Sequence, residues 1–282
     1  MTIEIKKPIK INNFSEIDEK YDSIICDIWG VIHNGQELFK SSIECLLKYK
    51  NIGYPVILVS NAPRPSSEIK IILKKMGLSE KCYDKIITSG DLTQKILNDG
   101  NLGSNCYHIG PDRDLNVFDG VNVERVDFDS ADFIFVTGLY DDENENDESY
   151  LPLLQEAKKR NLKLLCANPD IWVQRGKDLI PCAGAISQKY QSIGGNSINI
   201  GKPFAPIFDE AVKQIKLISG RDVNSTIVIG DGIDTDIKGA NNYNLDSLLT
   251  LGGLFSGQKT EDIMESINKK SVFPTYYINE LV

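Results

Sequence analysis

Asp27 closes the apolar run "SIICD" and is followed two residues later by Trp29 and a glycine, so a carboxylate stands where a buried strand gives out. The run "YPVILVSNA" ends in Ser60 and Asn61, with Arg64 just beyond, and "TIVIGDGIDTD" delivers Asp231, Asp234 and Asp236. "GKP" sets Lys202 between a glycine and a proline that can start a helix. In open parallel sheets, ligands bind outside the carboxyl ends of the strands. The order of these residues therefore predicts that they meet at one edge. Carboxylates from two strands suit Mg²⁺, a hard cation that takes oxygen ligands and keeps waters. The metal and Lys202 would neutralise a phosphate, and Ser60 and Asn61 could donate hydrogen bonds to its oxygens. An anionic Asp27 could then attack phosphorus to form an aspartyl-phosphate, which water hydrolyses.

The elements around these residues alternate. Strands are expected at "SIICDIWG", "YPVILVSNA" and "KIITSG", with helices at "ELFKSSIECLLKYKNIG", "PSSEIKIILKKMGL" (capped by Ser66 or Ser67) and "DLTQKILND". Near the C-terminus the pattern returns as helix "APIFDEAVKQIKLIS", strand "STIVIGDG", short helix "DTDIKGANNY" and strand "SLLTLGG". Continuous apolar strands joined by helices argue for an α/β fold, a Rossmann-like three-layer core built on a parallel sheet. Between the halves lies a segment with its own alternation, flanked by "NDGNLGSN" and "IGGNS". This predicts an inserted α/β cap domain at 101–195, with the core at 1–100 and 196–282. The acidic "DDENEND" at 141–147 reads as a solvated loop, and Asp234 as the N-cap of its helix.

The chain has 282 residues, a net charge of −9 and six cysteines without a CxxC pair. That length can bury a sizeable core. Such acidity disfavours nucleic acid or an anionic membrane as partner. The stretch "MTIEIKKPIKINNFSEIDEKYD" alternates apolar and charged residues and has no signal-peptide h-region, and no apolar run is long enough to span a bilayer. The cysteines read as reduced, buried thiols of a cytoplasmic protein.

In order along nearly the whole chain, "CDIWGVIHNG", "VSNAPR", "GKP" and "GDGIDTDI" resemble the four motifs of the haloacid dehalogenase-like superfamily. The branch they resemble is class IIA, related to nitrophenyl phosphatase and pyridoxal phosphatase. The resemblance implies Asp27 as nucleophile and Ser60, Asn61 and Lys202 as phosphate ligands. It implies Mg²⁺ held by Asp27, Asp231 and the backbone carbonyl of Trp29, with Asp236 supporting the site. "ANPD" resembles a substrate-facing loop of the family's cap, which puts Asn168 and Asp170 toward the substrate. It also implies a homodimer formed through the cap.

One position departs from that pattern. The family's first motif has a second Asp where Trp29 stands, and that Asp protonates the leaving oxygen. An indole N–H is only a donor and cannot do this. Loss of a general acid/base costs about 10²–10⁴ in rate, or roughly 3–5.5 kcal/mol of barrier. Trp29 is either a core anchor or a roof over the pocket that stacks on substrate. His33 is either a loop histidine or a replacement acid. Arg64 is either a site residue or half of a structural ion pair. The expected activity is a phosphatase for a small phosphorylated metabolite, since a cap of this size would exclude macromolecules. The rivals are a phosphate-binding protein with weak turnover and a phosphotransferase.

Overall fold

The computed structural model describes residues 7–176, 178–220 and 225–282. Residues 1–6 of the alternating N-terminal stretch and residue 177 of the inserted segment lie outside them. The strands, in chain order, are β1 (Ile9–Lys10), β2 (Ser23–Asp27), β3 (Val56–Ser60), β4 (Lys85–Thr88), β5 (Asn105–Ile109), β6 (Glu124–Arg125), β7 (Phe133–Val136), β8 (Lys163–Cys166), β9 (Trp172–Arg175), β10 (Asp178–Pro181), β11 (Asn196–Asn199), β12 (Thr226–Gly230), β13 (Asp246–Thr250) and β14 (Tyr276–Ile278). The helices are α1 (Lys40–Asn51), α2 (Ser66–Met76), α3 (Ser89–Asn98), α4 (Leu151–Lys159), α5 (Ala183–Ser192), α6 (Ala205–Ser219), α7 (Lys238–Asn242) and α8 (Thr260–Lys270).

The chain divides into two compact units. The first comprises 1–60, 72–87 and 208–282, and the second 61–71 and 88–207. In the first, a seven-stranded sheet runs β1-β14-β13-β12-β2-β3-β4. β2 pairs in parallel with β3 on one side and with β12 on the other. The chain leaves β2 toward β3 and β4, and later fills the other side from β12 outward. The order therefore reverses between β2 and β12, and ligand crevices of such sheets open at that switch point. β2, β3 and β12 are buried along their whole length, which is why their sequences are apolar runs rather than alternating ones. α1 links β2 to β3 and α2 links β3 to β4, while α8 links β13 to β14.

The second unit carries a five-stranded sheet, β11-β8-β7-β5-β6, in which every neighbouring pair is parallel, and a two-stranded antiparallel ladder of β9 and β10. Its core is its own: Ile134, Val136 and Leu164 of the sheet pack with Leu154 of α4 and with Ile186 and Tyr190 of α5. All six cysteines are free and buried. Among the described residues no helix is long and apolar enough to cross a membrane.

Several expected details differ. α1 begins at Lys40 rather than near Glu37, and its N-cap Phe39 has no side-chain oxygen to offer. At the start of α2, the Ser66 N–H and hydroxyl both donate to Asp91 of α3, so the α2 end is satisfied from outside rather than by its own serine. Asp234 is not an N-cap. Gly232 holds that position ahead of a π-turn at Ile233–Ile237, and Asp234 pairs with Lys270 instead. The acidic stretch 141–147 is not merely solvated. Asp142 receives Arg113 at 2.5 Å and Arg175 at 2.8 Å, and those contacts hold its carboxyl below the usual range.

Leu58 is fully buried in β3 beside the strand that carries Asp27. Leu58→Ala is expected to cost about 2–5 kcal/mol of stability, measured by urea unfolding. A loss below about 1 kcal/mol would show that this strand is not part of the packed core.

Candidate active site

The first unit assembles a carboxylate cluster at the switch point. Asp27 ends β2, opposite Val59 of β3, and Cys26 before it lies opposite Ile229 of β12. One more residue along β12 is Gly230, and Asp231 follows it. Parallel pairing with matched register thus brings the ends of two strands, and their carboxylates, side by side. Asp236 comes back from the π-turn after β12. Asp27, Asp231 and Asp236 are 7 %, 5 % and 1 % exposed, and one oxygen of each lies within 4.8 Å of the others.

Three buried like charges this close repel one another and lose hydration, so a cation in their midst is the economical solution. All three groups offer oxygen, the donor that Mg²⁺ prefers. Hydrogen bonds aim them. Asp231 Oδ2 accepts from Leu254 N at 2.8 Å, and Asp236 Oδ2 accepts from Gly232 N at 3.1 Å and from the Thr235 hydroxyl at 3.3 Å. A Cβ at Gly30 or Gly253 would collide with the Asp231 carboxylate, so both neighbours must be glycine. The donor set and its packing fit a divalent cation.

The loop after Asp27 folds back on itself. Gly30 N donates to His33 O at 2.8 Å, and His33 N donates to Ile28 O at 3.3 Å. His33 Nδ1 accepts from Gly35 N at 2.9 Å, which leaves its proton on Nε2. Burial lowers the His33 pKa to about 4, so the ring is neutral at ordinary pH. A replacement acid would have to be imidazolium there. The geometry thus favours the structural of the two readings of His33: it pins the loop. Trp29 is half-buried and packs edge-on to the His33 ring, with centroids 5.0 Å apart. A Cβ on Gly35 would lie 2.7 Å from the Trp29 ring, and Gly35 has φ +87°. The indole therefore rests on its own loop, in a slot that only glycine leaves open. The "NG" dipeptide at 34–35 was the one sequence signal of that turn.

The second unit ties together Asn61, Asp170 and Lys202. Asn61 Nδ2 donates to Asp170 Oδ1 at 2.8 Å and to Lys202 O at 3.1 Å, and Lys202 N donates to Asn61 Oδ1 at 2.7 Å. With both amide hydrogens engaged, the Asn61 side chain is not the phosphate donor expected of it. Asn168 turns inward, its Oδ1 accepting from Asp170 N at 3.1 Å. Arg64 lies 3.4 Å from Asp114, and the pair is largely buried. The sequence offered no sign of Asp114. Burial raises the Asp114 pKa to about 6, against the pull of Arg64 and Arg113, and Arg64 reads as the structural ion-pair partner. Helix α6 starts at Ala205, two residues beyond Pro203.

Residues 24–124 match the haloacid dehalogenase-like hydrolases, and residues 199–281 match a second, HAD-hydrolase-like family. A solved hydrolase of the haloacid dehalogenase-like family from Brucella suis 1330 is 37 % identical, covers 96 % of this chain and 100 % of its own, and superposes with a TM-score of 0.88. The chain belongs to the haloacid dehalogenase-like hydrolase family. This hydrolase is also 25 % identical over 265 residues to an acid sugar phosphatase of Staphylococcus saprophyticus, spanning 93 % of this chain and 96 % of that one. Its fold matches that of the glycerol phosphate phosphatase Rv1692 from Mycobacterium tuberculosis in complex with magnesium, with a TM-score of 0.68, 23 % identity, and coverage of 94 % here and 76 % there.

Two outcomes test the site. Millimolar Mg²⁺ is expected to raise the melting temperature of the hydrolase through preferential binding to the folded state, and Asp231→Asn to abolish that rise. A wild-type melting curve indifferent to Mg²⁺ would remove the cation from the cluster. In a Trp172→Phe background, Gly35→Ala is expected to displace the Trp29 ring and shift its emission to the red. Unchanged emission would show that the indole does not rest in the glycine slot.

Proposed function

We propose that this hydrolase is a Mg²⁺-dependent phosphatase of the class IIA branch, acting on a small phosphorylated metabolite of the sugar- or polyol-phosphate kind. The observation that carries the reading is Asp27, a buried carboxylate at the sheet's switch point beside Asp231 and Asp236. The names of the relatives, an acid sugar phosphatase and a glycerol phosphate phosphatase, support the substrate class. Residues 101–195 serve as the cap.

Bound Mg²⁺ would supply positive charge for the phosphate oxygens; Asp27, Asp231 and, by the motif resemblance, the carbonyl of residue 29 would hold it, with Asp236 supporting them. An Asp27 carboxylate oxygen attacks phosphorus while the ester P–O bond breaks, and its electron pair leaves on the alcohol oxygen. Water then attacks the phosphorus of the aspartyl-phosphate, which releases phosphate and restores the carboxylate. Ser60, the Asn61 backbone N–H and the Lys202 ammonium hold the phosphoryl oxygens, so most of the catalysis is positioning and electrostatics.

In the loop after Asp27, neither Trp29 nor a neutral His33 can serve as the acid for the departing oxygen. Leaving groups of low pKa depart without a proton and lose little by this, whereas alkoxides lose most of the 10²–10⁴ that an acid supplies, about that range in rate. The attacking water lacks a base for the same reason, so for aryl phosphates the second step is the slower one, while for alkyl phosphates the unassisted first step is slower still. A long-lived aspartyl-phosphate is also what a phosphotransferase would need, with an alcohol acceptor replacing water.

The test is a leaving-group series with a rapid-mixing assay. Nitrophenyl phosphate is expected to turn over at least tenfold faster than alkyl phosphates, with a burst of nitrophenol ahead of phosphate release. EDTA should abolish both. Rates independent of the leaving group, without a burst, would overturn the proposed consequence of Trp29. Absence of any Mg²⁺-dependent hydrolysis across the series would overturn the phosphatase reading itself. A rate that rises with added alcohol, with transfer of the phosphoryl group to it, would select the phosphotransferase.

A further inference from the structure

Asp170 lies in the second unit, 109 residues beyond Asn61, yet their side chains meet at 2.8 Å. Resting on the phosphatase reading, we propose that Asp170 is a positioning residue rather than a substrate ligand: through Asn61 it fixes the main chain of Lys202.

The Asn61 amide binds Lys202 at two points. Its Oδ1 takes the Lys202 N–H at 2.7 Å and its Nδ2 gives to the Lys202 carbonyl at 3.1 Å. Two bonds to one residue fix rotation as well as distance. They also demand one orientation of the amide. A flipped amide would set nitrogen against the Lys202 N–H and oxygen against its carbonyl, losing both bonds. Sterics hardly oppose the flip, because the two ends of an amide are nearly the same size. Asp170 opposes it. In the observed orientation its carboxylate accepts the second amide hydrogen as a charge-assisted bond, and in the flipped one it would face the amide oxygen. The carboxylate thus reinforces the rotamer that the Lys202 pairing demands, adding a third bond in the same sense.

The surroundings are built for this contact. Asn61 and Lys202 are each 3 % exposed, so water offers poor substitutes for the lost partners. Gly201 has φ +123°, and a Cβ there would lie 2.5 Å from Asn61 Oδ1. Asp170 is itself held by its main chain, its N–H donating to Asn168 Oδ1 at 3.1 Å and its carbonyl accepting from Gly184 N at 3.1 Å. The segments "SNA", "GKP" and "ANPD" thus form one hydrogen-bonded assembly. Its output is the direction in which the Lys202 ammonium leaves the backbone.

The experiment is calorimetric binding of inorganic phosphate in Mg²⁺ by the full chain. Inorganic phosphate has no organic part, so a residue that contacts only the leaving group cannot affect it. Asp170→Ala is expected to weaken phosphate binding about tenfold, the loss of one charged hydrogen bond. Asp170→Asn keeps an acceptor but can also donate to a flipped amide and lacks the charge, so it should weaken binding in the same direction by less than Asp170→Ala. Because Asp170 acts through Asn61, Asn61→Ala with Asp170→Ala should bind no more weakly than Asn61→Ala alone. Gly201→Ala, which crowds Asn61 from the other side, should reproduce the Asp170→Ala loss and serves if that variant does not fold. Phosphate binding unaffected by Asp170→Ala and by Gly201→Ala would overturn this inference alone. So would losses that multiply in the double variant. A wild-type chain that does not bind phosphate in Mg²⁺ would overturn the phosphatase reading and this inference with it.

Discussion

Three carboxylates confined within a few ångströms, away from water, set the terms for the rest of this molecule. Like charges at that distance in a poorly polarisable interior repel by several kcal/mol even at an effective dielectric of about 20. Such an arrangement persists because the scaffold enforces it, with a cation or a shared proton to relieve the repulsion. Here the scaffold's share is visible. Two adjacent parallel strands end in register, a π-turn returns Asp236 to the same point, and main-chain N–H groups steady two of the three carboxylates. The buried apolar strands bear the cost, since their hydrophobic stabilisation is what holds the strand ends together.

Around that cluster, several side chains near the motif positions are engaged inside the protein. Trp29, His33 and Gly35 contact one another, shaping a loop whose backbone follows directly from Asp27. Asn61 spends its amide on Lys202 and Asp170. Both sets lie within a few residues of the motif positions and could be taken for ligands by proximity alone. Hydrogen-bond capacity separates the two roles. A side chain whose donors are all engaged inside the protein has none left for a substrate.

Much of this was readable before any coordinates. Asp27 sits where an apolar run stops, and Asp231 and Asp236 follow the other fully buried run, because strand burial writes itself as continuous hydrophobicity. The alternation of strands and helices gave the α/β class for the same reason. What could not be read is long-range pairing. Asn61 and Asp170, or Arg64 and Asp114, are joined by packing that leaves no local trace. The position of Asp234 favours a cap, but Lys270, 36 residues further along the chain, pairs with it instead. The acidic run at 141–147 looked solvent-facing by composition, and Arg113 and Arg175 made Asp142 an anchor instead.

The pairing of β2 with β12 has a further consequence for how the protein comes into being. Ser23 and Thr226 are neighbours in the sheet though about two hundred residues apart in the chain. Contacts of that separation form late and slowly, since a large loop must close before they repay its entropy. During synthesis β2 emerges early and waits without its central partner while the second unit, with a core of its own, is completed. The nascent chain therefore carries Asp27 through most of translation with no companion carboxylates. Its companion carboxylates join it only once β12 and the turn after it have been made, and until then the edge of β2 that β12 will cover stays unpaired.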